Sequence, residues 1–108
     1  IERHIETKYT EPAQRKAAMQ RAIVFQQMLL VDKRDEAALD AVSYRGTLAI
    51  VCSMSAFPGA QGTIEKHGMG RELESMTTNT QARLMAYLAY NKARSGSVST
   101  LPREPACD

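Results

Sequence analysis

Residues 46–57 read GTLAIVCSMSAF, and the fold class turns on whether this apolar run is helix or strand. Periodicity alone does not separate a buried strand from a buried helix in so compact a run. Val42, Thr47, Ile50 and Val51 lean towards a strand. Ala37, Ala38, Ala41, Ala49, Ser53 and Ala56 lean towards a close-packed helix. The helical reading is the better supported, and it joins the run to EAALDAVSYR upstream in one element from Glu36 to about Phe57. Gly46 then lies inside a helix, where glycine costs about 1 kcal/mol against alanine. A close helix crossing along Gly46, Ala49 and Ser53 is the expected compensation. On the strand reading, Gly46 would be a turn residue instead.

Working outward, each flank carries helical signals. Asp32-Lys33-Arg34-Asp35 is a polar turn, and Asp35 is placed to cap the helix that follows. Upstream of it, Pro12 to Val31 predicts a helix, with Ala18, Ala22, Phe25 and Leu29 on one row and Val24, Met28 and Val31 on the next. Its second half, IVFQQMLLV, is apolar around most of its circumference. Ile1, Ile5 and Tyr9 recur at four-residue spacing and predict a short helix that breaks at Thr10-Glu11-Pro12. Downstream, Pro58-Gly59-Ala60-Gln61-Gly62 reads as a loop, with stable helix resuming near Gly70. Thr78 and Gln81 have capping-box spacing, and Gly96 offers a stop. Between them Leu84, Leu88 and Asn91 form one row, with Met85, Ala89 and Lys92 beside it and Tyr87 adjacent. The expectation is an all-α bundle of about four helices over residues 1–96, followed by a flexible tail over 97–108.

The 108 residues are 44% hydrophobic with a net charge of +2, which fits one globular domain and argues against a strongly nucleic-acid-binding surface. The longest apolar stretch is shorter than the roughly 20 residues a bilayer requires, so no membrane partner is expected. The two cysteines, Cys52 and Cys107, do not make a disulfide framework. Reduced thiols in a cytoplasmic protein are the simpler expectation, and a bridge clipping the tail to the core is the alternative.

Few residues suggest chemistry. His4 and His67 lack a second histidine or cysteine at ligand spacing, so no metal and no cofactor is expected. Ser53 and Ser55 lack the flanking glycines of a nucleophile elbow. Glu72 and Glu74 project from different sides of a helix and make no acid–base pair. The GAQG segment at 59–62 has GxxG spacing but no basic residue to hold a phosphate backbone, and no GK[ST] follows it. The six methionines all lie among other apolar residues and read as core filling.

A non-catalytic protein-interaction or self-assembly module is the expected function. Val24, Phe25, Met28 and Leu29 are the expected partner-binding residues, and the expected partner is a second copy or another protein. The alternative is a helical DNA-binding regulator presenting Thr80, Gln81 and Arg83 at the start of a recognition helix.

Overall fold

The computed structural model describes residues 1–97 and Cys107. Five helices follow one another: α1 (Glu2–Lys8), α2 (Pro12–Leu30), α3 (Glu36–Ala56), α4 (Gly59–Thr77) and α5 (Gln81–Ala93). No strand occurs among the described residues. The run at 46–57 is therefore helical, and α3 passes through Gly46 without a break.

Local chemistry explains most boundaries. Glu11 is extended and Pro12 occupies the first turn of α2, where a missing amide costs nothing. The Asp35 carboxylate accepts the Ala38 amide at 3.1 Å and starts α3. Gly96, at φ +81, follows the end of α5.

The start of α4 corrects the expected loop. Pro58 is extended, Gly59 takes φ +77, and the helix begins there rather than near Gly70. Gly62 makes this possible. A Cβ at Gly62 would fall 2.4 Å from the Phe57 carbonyl carbon, so only glycine lets the first turn of α4 close against the end of α3. The expected cap at Thr78 is also corrected. Since α4 continues to Thr77, Thr78 closes that helix, and its hydroxyl donates to the Glu74 carbonyl. Thr80 is the extended residue, and its hydroxyl accepts the Arg83 amide at 3.2 Å.

The second helix packs against each of the other four. One core cluster joins Ile5, Tyr9, Ala18, Phe25, Cys52, Phe57, Met69 and Leu73. A smaller one joins Leu39, Val42 and Tyr90. Buried hydroxyls are satisfied within their own helices: Ser53 donates to the Ala49 carbonyl at 2.9 Å and Thr77 to the Leu73 carbonyl at 2.7 Å. Met69 is buried, and Met19 and Met28 pack on the cores, whereas Met54 and Met85 are exposed.

The cysteines correct the expectation of reduced thiols. Cys52, fully buried on α3, is bonded to Cys107, with Cα atoms 5.1 Å apart. That separation lies within the range a disulfide spans without backbone movement. Apart from Ser97 and Cys107, the expected flexible tail lies outside the described residues.

Candidate functional site

The last helix positions two surfaces that face opposite ways. Its inward face is set by Tyr87, Tyr90 and Arg94, which recur at helical spacing. Tyr90 is buried against Leu39 and Val42. Tyr87 meets Phe25 edge to face, with ring centroids 6.2 Å apart. Arg94 donates to Asp40 at 2.6 Å and to the Ser43 hydroxyl at 3.4 Å. The opposite face carries Leu84, Met85 and Leu88, which are 43%, 59% and 50% exposed. The apolar row that would be expected to point at the core therefore points outward. Tyr87 and Tyr90 win the inward position because they bury large rings while their hydroxyls still find partners, Glu74 and Ser43.

The inward face of α5 roofs a cavity of about 330 Å³ against α2 and α3. Its apolar wall includes Val24, Phe25, Met28 and Ile50, and Ser43, Thr47 and Tyr90 add hydroxyls. Two charged groups complete it. Arg21, on α2, lies with its guanidinium 5.3 Å from the centre of the Phe25 ring. Burial lowers its pKa from the ordinary arginine value. Glu74, from α4, accepts the Tyr87 hydroxyl at 2.7 Å. Burial first and this bond second push the Tyr87 pKa up to about 12.

The expected partner-binding residues divide. Val24 and Phe25, expected to bind a partner, are each only 5% exposed and pack in the chain's own interior. The reason is that α2 is surrounded by its four neighbours. Met28 is half-buried on the cavity wall, and Leu29 is half-buried. On α2 the large exposed apolar side chains are Ile23 and Leu30. Thr80, Gln81 and Arg83 do lie together, exposed, at the start of α5. Thr80 is engaged in capping, and Arg83 donates to the Asn79 side chain at 3.4 Å.

Elsewhere, α1 is tied to α4 by a polar cluster. Glu72 accepts from Lys8 at 2.8 Å and contacts the His4 ring. The Lys8 bond, foremost, lowers the Glu72 pKa. Glu72 and Glu74 do project apart, one to α1 and one to α5. Among the described residues, no group of histidine, cysteine and acidic side chains is placed to hold a metal, and no helix is long and apolar enough to cross a membrane.

Arg21, Glu74 and Tyr87 stand out only in three dimensions. In the sequence each is an ordinary helix residue, and their meeting depends on how three helices cross. Compared with known protein families, curated proteins and solved structures, the chain matches none.

Proposed function

We propose that the chain is a non-catalytic α-helical module that pairs with a second copy of itself through the outer face of α5. The observation that supports this reading is the inverted amphipathicity of that helix: Leu84, Met85 and Leu88 lie on its solvent side. Consecutive exposed apolar side chains on one helix face are a feature of association surfaces rather than of ordinary solvent-facing helices. The face also suits itself. In an antiparallel pairing centred between Ala86 and Tyr87, Met85 lies level with Leu88 of the second copy and Leu84 with Ala89. Lys92 then lies level with Gln81, so no like charges meet. Such a twofold contact is the commonest way for identical chains to associate.

Light scattering across a concentration series tests this. A dimer is expected in the micromolar range, and Leu88→Glu should give a monomer with an unchanged fold. A wild-type chain that stays monomeric at several hundred micromolar would remove the reading.

The DNA-binding alternative keeps only Gln81 as a free contact, because the Thr80 hydroxyl already accepts a helix amide and Arg83 already donates to Asn79. It requires an affinity that falls steeply with salt. The Cys52–Cys107 bond favours an oxidising compartment over the cytoplasm.

A further inference from the structure

The cavity under α5 has a wall that the fold itself leaves incomplete. Arg21 and Glu74 both line it, yet they form no ion pair with each other. No hydrogen bond joins Arg21 to another described residue; its guanidinium lies over the Phe25 ring, and the polar groups that act on it electrostatically are Tyr87 and Glu74. Glu74 uses one carboxylate oxygen, Oε2, to accept from Tyr87, and Oε1 accepts no bond among the described residues. A half-buried guanidinium and an exposed carboxylate therefore border one cavity, and the carboxylate keeps one oxygen outside the Tyr87 bond. The other arginine nearby is not in this position, since Arg94 is held by Asp40 and Ser43. The fold also makes room for the cation. A Cβ at Gly70 would stand 3.1 Å from the Arg21 Nη2, so a side chain there would press on the guanidinium.

We propose that this cavity binds a free α-amino acid with an apolar side chain. The ligand carboxylate pairs with Arg21, whose planar donors suit a carboxylate. The ligand ammonium pairs with Glu74. The side chain lies against Val24, Phe25, Met28 and Ile50. A simple anion or a simple cation would satisfy one wall group and be repelled by the other, so the zwitterion is the best match to the pair. The volume, about 330 Å³, lies at the lower end of ligand-pocket sizes and fits a molecule of that scale. The inference is independent of pairing through α5, because the cavity lies on the opposite side of that helix.

Calorimetric titration with L-phenylalanine, 3-phenylpropionate and phenethylamine tests it, because the three share a ring and differ in charge. L-Phenylalanine should bind about tenfold or more tightly than either of the others, the loss expected when one charge-assisted bond is removed. Arg21→Met should weaken L-phenylalanine and 3-phenylpropionate by a similar factor and tighten phenethylamine, whose ammonium Arg21 repels. Glu74→Gln should weaken L-phenylalanine and phenethylamine and tighten 3-phenylpropionate, whose carboxylate Glu74 repels. Amide shifts on binding should centre on Gly46 and Thr47. Should either variant fail to fold, the three-ligand ranking on the wild-type chain still decides. Absence of L-phenylalanine binding, equal affinity for all three, or shifts centred elsewhere would overturn the proposal.

Discussion

At Gly62 a single hydrogen in place of a methyl decides where two helices meet. A Cβ there would overlap the Phe57 backbone, which cannot rotate away as a side chain can. Gly62→Ala is therefore expected to destabilise by about 1–3 kcal/mol, the usual range for overpacking, despite alanine's better helix propensity. A denaturant midpoint equal to or above wild type would show that α4 can start elsewhere. Gly46 is the contrasting case. The close crossing expected from the sequence is present, but a Cβ would sit 3.5 Å from Val24 Cγ1 and 3.6 Å from Met28 Cε, at ordinary contact distance. Gly46→Ala should stabilise by up to about 1 kcal/mol, because propensity improves and contact is not lost. An unfolding curve shifted to lower denaturant would show that α2 and α3 cross more tightly than this. The sequence reads Gly46 as a crossing point and Gly62 as part of a loop, yet the tighter approach is at Gly62. The path of the opposing backbone separates them.

Whole elements show the same division between what a pattern fixes and what packing fixes. The boundaries of α2 and α3 were legible because Pro12 and Asp35 act within one turn of their own positions. The start of α4 was not, because a Pro-Gly-x-x-Gly segment favours a turn locally and becomes helical only where Gly62 meets Phe57. The orientation of α5 was not legible either. Its aliphatic row and its Tyr87–Tyr90–Arg94 row are both plausible inner faces, and the choice depends on Glu74, Ser43 and Asp40 on other helices. The attachment of α1 leads to a pH prediction. Glu72 is ionised to lower pH in the folded chain than in the unfolded one, chiefly through its bond from Lys8. Its contribution is therefore present above the ordinary carboxylate range and is lost as pH falls through that range to the lowered value. On acidification the amides of α1 should lose exchange protection before those of α3. If Glu72→Gln left the pH at which α1 loosens unchanged, Glu72 would not be the group responsible.

The molecule as a whole is a helical cluster organised on α2 and fastened by one covalent cross-link. The all-α class was legible in residues 36–57, whereas the candidate sites, which need the mutual placement of four helices, were not. Cys52 and Cys107 bracket a sequence separation of 55 residues. Closing a loop of that size restricts the unfolded chain by about 4 kcal/mol on the chain-entropy account. Reduction should lower the denaturant midpoint accordingly and release two titratable thiols. An unchanged midpoint would mean that the tether contributes nothing to the folded state. The cross-link also divides the chain mechanically. Pulled from its two ends in the oxidised state, the protein transmits force through α1, α2 and the first part of α3, then across the sulfur–sulfur bond. The last turn of α3, together with α4 and α5, lies inside a ring that carries no tension. Those helices can unfold thermally yet add nothing to the length of the stretched chain. In a force-extension trace, reductant should unlock roughly 190 Å of further extension, at about 3.3–3.6 Å per residue, that no load short of breaking the bond could draw out before.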